Sequence, residues 1–397
     1  MDLDSLRRET PGCANRVHLD NAGAGLLSRR TLAAMTDHLA LEAAIGGYQA
    51  ADRAAERLAE TYVRLAALLG GRAEEVALFD NGTHAWNAAF HALRFRPGDR
   101  ILTGRSEYAS NLLSYLQAAQ RFGVEVVVVP DDPSGRLDTA ALAALIDERT
   151  RLVGVSHVPT SGGLVNPAAE IGRITRAAGV PFLLDATQSV GQFPVDVAGI
   201  GCDLLTGTGR KFLRGPRGTG FLWVRDAALA YLDPAVVDLH AATRDGARGF
   251  TWQPGARRFE SWERSCGNVL GLHAAVSQAL DLGLDRIGAR ATHLGRYLRD
   301  RLAALPGVTT HDRGRVQCAI VTATVAGLSA AAVADALTGQ GINVRVTTPA
   351  NPDFDAEPDF DAEPGALGPM VRLSPHYYNT EAELDRAVAA VARLTRR

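Results

Sequence analysis

One lysine stands alone in this sequence. Of the 42 lysine and arginine side chains, 41 are arginine, and the exception is Lys211 in the stretch GTGRKFLRGPRG (207–218). Arginine stays protonated and cannot act as an amine nucleophile, whereas a desolvated lysine can lose its proton and form a Schiff base with a carbonyl. A position that kept lysine against such a bias is a candidate for that chemistry. A carboxylate precedes it by 26 residues: Asp185 closes the apolar run PFLLDA (181–186). A carboxylate at the end of a buried strand needs a cationic partner. A third stretch, FDNGTH (79–84), follows an apolar run and opens a helical one. A Gly-Thr pair there offers free N–H groups, a hydroxyl and the positive end of a helix to a phosphate. Asn-Gly-Thr is also a common helix start, so this signal is weak by itself.

A phosphate site, a buried acid and a lone lysine belong together in one known chemistry. In pyridoxal 5'-phosphate (PLP) enzymes a lysine holds the cofactor as a Schiff base and an acid pairs with the pyridinium nitrogen. Nucleotide-binding loops lack support, because there is no GxxxxGK[ST] and no GxGxxG after a first strand.

These residues need elements to position them. The runs at 76–79, 124–129, 151–158, 181–186, 202–207 and 218–224 read as buried strands. Ala/Leu-rich stretches of helical spacing, such as 139–146 and 168–178, lie between several of them. The alternation predicts an α/β fold with a mostly parallel, doubly wound sheet, whose ligands bind at the carboxyl ends of the strands. From about residue 263 the texture changes to a long helical region (269–305), a strand at 318–325, GINVRV, MVRLS and a last helix from Glu381. That reads as a smaller α+β domain. The expected division is a large cofactor-binding domain at 16–262, with 1–15 and 263–397 forming the small domain.

Composition bounds the partners. The net charge of −2 gives no electrostatic case for nucleic acid or an anionic membrane, and no apolar run is long enough to span a bilayer. The polar first residues do not read as a secretory signal. The four cysteines lie far apart without CxxC spacing, which argues against a zinc site or disulfide framework and favours a cytoplasmic location. PDFDAE occurs twice in succession (352–363), as an acidic loop insertion expected near the mouth of the site.

The ordered motifs together resemble one family. HLDNAG, NGTHAWN, SEYASN, SHVPTSGGLVNP, DATQ, TGRKFLRGPRGTG, FTWQPGARRFE and MVRLSPHYYNTEAELD resemble successive motifs of the cysteine-desulfurase-like branch of class V aminotransferases. These are fold-type I PLP enzymes with a seven-stranded type of sheet. The resemblance implies Lys211 as the catalytic Schiff-base lysine. It implies Gly82, Thr83, His84, Thr208 and Arg210 on the phosphate side, and Tyr108 stacked on the ring. It places Asp185 at the pyridinium, with Gln188 and Thr160 at the 3-oxygen; Thr160 stands where the family usually has Asn. Asn21 and Ala22 would lie beside the substrate, and Arg372 would clamp its α-carboxylate. Thr251 would reach the phosphate of the other subunit of a homodimer.

One departure bears on the reaction. Desulfurases of this branch carry a cysteine on the loop that is 344–369 here; this loop has none, and Ala350 stands about where the nucleophile would be. Persulfide-forming desulfuration is therefore disfavoured. The GGYxA signal at 46–50 resembles the branch's carbon–sulfur lyases, such as hercynylcysteine sulfoxide lyases and antibiotic-pathway cysteine S-conjugate lyases. The implied reaction is β-elimination from a cysteine S-conjugate. Decarboxylation-coupled oxidative deamination, transamination, racemisation or epimerisation, and desulfuration without the persulfide cysteine are the other fates open to such a substrate.

Overall fold

The computed structural model describes residues 1–348 and 368–395. Ala350 and the PDFDAE repeat lie outside the described residues.

Seven strands form one sheet. In spatial order they are Val76–Phe79, Gly220–Val224, Leu204–Thr208, Phe182–Asp185, Thr150–Ser156, Arg100–Gly104 and Glu125–Val129. Gly220–Val224 runs antiparallel to both neighbours, and the other pairings are parallel. Helices cover both faces, which is why the inner strands read as unbroken apolar runs. Alternate residues serve two separate cores. Phe182 and Leu184 pack with Val153, Val155 and Leu205 on one face. Leu183 packs with Leu152, Leu204 and Leu222 on the other. With a side-chain period of two, Asp185 follows Leu183 onto that second face. The helix Ala109–Phe122 meets it there with Asn111.

The strand Arg100–Gly104 was not among the expected ones. Its first residue is an arginine, yet that side chain is buried by pairing with Asp147 at 2.9 Å. The ion pair neutralises the one charge in RILTG.

The smaller lobe holds a four-stranded antiparallel sheet in the order Val308–Thr310, Val321–Val325, Met370–Leu373, Arg345–Thr347. Two features describe how the lobes meet. The helical region 269–305 is two helices, Cys266–Leu282 and Leu284–Ala303, broken at Gly283, whose φ of +83° favours glycine. The first helix packs Val269, Leu272 and Val276 into the large core. The second gives Leu294, Leu298 and Leu302 to the small one. The helix before Gly283 thus packs in the large core, and the later turns of the helix after it pack in the small one. Val17 and Leu19 also belong to the small core, because Val17–His18 pairs in parallel with Ile342–Asn343.

The turn after Lys211 is held by a buried arginine. Arg214 has φ +61°, the one positive value at a non-glycine among the described residues. Its guanidinium donates to the Leu26 carbonyl at 2.8 Å, to Thr10 Oγ1 at 2.7 Å and to the Tyr377 hydroxyl, and lies 4.5 Å from the Tyr378 ring centroid. Such backbone strain persists only where the surroundings over-determine it. Here they tie the lysine turn to the N-terminal segment and to the small lobe. No helix among the described residues is long and apolar enough to cross a membrane.

Candidate active site

The carboxyl ends of three parallel strands meet at one cavity. They deliver Ser156, Asp185 and Thr208, and the helix Gly82–His91 points its N-terminus into the same space. Asn81, Gly82, Thr83, Tyr108, Asn111, Thr160, Thr187, Gln188, Arg210 and Lys211 complete the wall.

Lys211 is buried, with its Nζ 5.9 Å from the Tyr108 ring centroid. Burial, followed by the nearby Arg210 charge, lowers its ammonium pKa to about 7, and Asp185 only partly opposes this. About half of the amine is thus neutral, and able to act as a nucleophile or base, at pH 7. Asp185 Oδ2 accepts from Asn111 Nδ2 at 3.0 Å, and Oδ1 from the Thr187 N–H at 2.8 Å. Two donors fix the plane of this carboxylate.

At the helix end Asn81 caps the His84 N–H at 2.8 Å. Gly82 and Thr83 line the cavity ahead of it, with the favourable helix dipole behind. A Cβ on Gly82 would meet Thr187 Oγ1 at 3.3 Å and the Gly207 carbonyl at 3.4 Å, so glycine keeps this corner open.

The other expected residues have these partners. The exposed ring of His84 pairs with Asp80 at 2.6 Å, and its N–H donates to the Asn81 cap. Thr208 lines the cavity, but its hydroxyl donates to the Thr219 carbonyl at 3.0 Å. Arg210 lines it too, with Nη1 donating to the Gly23 carbonyl. Asn21 lies behind the wall, giving Nδ2 to the Ser374 carbonyl and accepting from the Tyr378 hydroxyl. Ala22 takes part through its carbonyl, which accepts from Gln188 Nε2 at 3.1 Å. Arg372 reaches the wall through Thr160, donating from Nη1 to its carbonyl and Oγ1, both at 2.9 Å, and from Nη2 to Asp20 at 3.1 Å. Thr251 is remote in this chain, on the exposed hairpin formed by Ala242–Asp245 and Gly249–Trp252. The GGY segment is a break between two helices at Gly46, with Tyr48 exposed and 6.1 Å from Trp262.

Sequence reasoning missed Glu107, Asn111, Ser156 and Thr187. SEYASN was read for Tyr108 alone, although Glu107 and Asn111 are polar residues four apart at the start of an otherwise half-apolar helix, a spacing that puts them side by side.

A family model described as aminotransferase class-V matches residues 17–387. The chain belongs to the class V aminotransferase family. It is 29% identical over 389 residues to a probable cysteine desulfurase of Methanothermobacter thermautotrophicus, covering 97% of this chain and 96% of that protein. Two structures of the cystine C–S lyase C-DES are also similar. A mutant with glycine covalently linked to the PLP cofactor superposes with a TM-score of 0.86 at 26% identity, covering 97% of this chain and 98% of that one. The complex with its reaction product, cysteine persulfide, gives 0.85 at 26%, covering 96% and 99%.

The protein is a PLP-dependent enzyme, as its family is. The cavity fits that cofactor on its own evidence. It offers an amine of lowered pKa, a helix N-terminus for a phosphate and an oriented carboxylate. Gln188 Oε1 and Arg372 Nε are buried without hydrogen-bond partners among the described residues, as expected of groups that serve a bound molecule.

Only neutral Lys211 can capture the cofactor covalently. Capture of PLP by the apoprotein should accelerate as pH rises through about 7 and level off above it. Stopped-flow absorbance across pH would show this; a midpoint near the ordinary lysine value of about 10.4 would contradict it.

Proposed function

We propose that this enzyme is a carbon–sulfur lyase that cleaves a cysteine S-conjugate, or its sulfoxide, by β-elimination. The products are a thiol (a sulfenate from the sulfoxide), pyruvate and ammonia. The observation that carries this reading is the state of the cysteines. Loop 344–369 contains none. Cys318 is buried, with its thiol pushed up to about 12, and Cys202 is raised further; burial is the leading cause in both. Cys13 and Cys266 are also raised by burial. A sulfur-accepting thiolate needs the opposite environment. The similarity to a cystine C–S lyase supports the same reading.

Bound in the cavity, PLP supplies an electron sink for charge that develops at the substrate Cα. Arg372 binds the α-carboxylate, using the Nε–H that has no acceptor and sharing Asp20 with Arg345, which pairs with Asp20 at 3.2 Å. Lys211, once displaced by the substrate amine, takes the Cα proton as general base. The electron pair left at Cα forms the Cα–Cβ double bond as the Cβ–S bond breaks, and sulfur departs with its bonding pair and is protonated. Released aminoacrylate adds water and loses ammonia to give pyruvate. Asp185, its plane held by Asn111 and the Thr187 N–H, would face the ring nitrogen.

Product analysis separates the fates. With S-alkyl cysteines and their sulfoxides, the holoenzyme should give pyruvate and the sulfur product in equal amounts. Lys211→Ala should slow turnover by about 10²–10⁴-fold, the usual worth of a positioned acid–base group. Alanine with sulfide, or carbon dioxide with a thioaldehyde, would contradict β-elimination.

We also propose a homodimer in which Thr251 reaches the partner's phosphate site. The hairpin bearing Thr251 is exposed, and so are Val236, Leu239 and Phe250 around it. A groove of about 790 Å³ lined by His91, Phe122, Val236 and Arg264 lies nearby. Light scattering should report twice the 42.1 kDa chain mass. Thr251→Ala should weaken PLP retention by about tenfold, the loss of one hydrogen bond to a charged group. A monomer with full PLP occupancy would refute the arrangement.

A further inference from the structure

A second carboxylate lies behind the cavity wall. Glu107 is buried and does not line the cavity, yet it holds three residues that do. Its Oε1 accepts from the Tyr108 N–H at 2.7 Å, from Asn111 Nδ2 at 3.0 Å and from the Ser156 hydroxyl. Its Oε2 accepts from the Ser156 N–H at 3.1 Å and the Thr103 hydroxyl at 3.3 Å. These donors come from the start of the helix Ala109–Phe122 and from two neighbouring strands, and all are neutral.

Asn111 is the critical member. Its single amide nitrogen donates to Glu107 Oε1 and to Asp185 Oδ2, both at 3.0 Å. The two amide hydrogens thus serve two carboxylates. Turning the amide over would set its oxygen against both, so Glu107 fixes which way Asn111 faces. Asn111 in turn fixes Asp185, whose other oxygen is held by the Thr187 N–H. The titratable groups facing Glu107 are Asp185, whose charge raises the Glu107 carboxyl, and Tyr115, whose hydroxyl burial holds well above its usual range. Burial raises the Glu107 carboxyl to about 7, with the Ser156 hydrogen bond opposing and Asp185 adding.

We propose that Glu107 is a positioning residue for the cofactor ring: acting through Asn111, it sets the orientation of Asp185 and so the protonation of the ring nitrogen. This rests on the placement of that nitrogen at Asp185 and is independent of which Cβ–S bond the enzyme breaks.

Glu107→Gln replaces one of the two acceptor oxygens with a donor and leaves the volume nearly unchanged. Visible-band pH titration and PLP dissociation constants test the proposal on the holoenzyme. Glu107→Gln should displace the pH midpoint of the band and weaken PLP binding by about 10–100-fold, the cost of upsetting a hydrogen bond to a charged group. Asn111→Ala should displace the midpoint in the same direction, and the double variant should match Asn111→Ala alone. A role confined to packing would lower thermal stability without moving the midpoint, and that result in Glu107→Gln would overturn the proposal. Additive shifts in the double variant would also overturn it, since Glu107 would then act on the ring by its own charge. Should Glu107→Gln fail to fold, an unmoved midpoint in Asn111→Ala would suffice to reject the relay. A wild-type holoprotein with no visible band would instead reject the placement of the cofactor.

Discussion

The structure turns on an amine that must lose its proton inside a protein whose other basic side chains are all arginine. Burial of Lys211 supplies the means. Taking the ammonium out of water costs more than Asp185 and Asp20 return, and Arg210 and Arg372 add repulsion. Those two arginines stay charged, so they can bind anions beside the lysine while favouring its neutral form. One local field therefore favours a neutral amine beside two cationic groups. An arginine at position 211 could not respond to that field in the same way.

The fold exists to bring that amine opposite an oriented acid. Strand alternation puts Asp185 on the face where Asn111 waits, and the next parallel strand carries the chain to Thr208 and then to Lys211. Arg214 then closes the turn onto Thr10, Leu26 and Tyr377. The small lobe's central strand delivers Arg372, and its pairing with Asp20 connects it to the N-terminal segment. Residues far apart in sequence meet because the first strand of the chain pairs with Ile342–Asn343.

Much of this was legible in the sequence. Apolar runs flanked by helical spacing revealed the doubly wound sheet, and a lysine without companions drew attention to its own position. What stayed hidden depended on partners. The strand Arg100–Gly104 opens with an arginine whose charge Asp147 neutralises, a pairing that sequence order does not show. The long helical region read as one element, whereas the structure breaks it at Gly283, with its positive φ. His84 shared a motif with Gly82 and Thr83, yet helical geometry rotates its side chain away, toward Asp80. Glu107 gave no chemical signal by itself, because its importance lies in a hydrogen bond to an amide that has a second carboxylate to hold.

The account depends most on Lys211 being the point of covalent attachment. Borohydride reduction of the holoprotein followed by peptide mass mapping tests this directly, since the chain offers no other lysine. The account predicts a phosphopyridoxyl group on the peptide containing Lys211, lost entirely in Lys211→Ala. An unlabelled Lys211 peptide from a protein that still carries its visible cofactor band would contradict it.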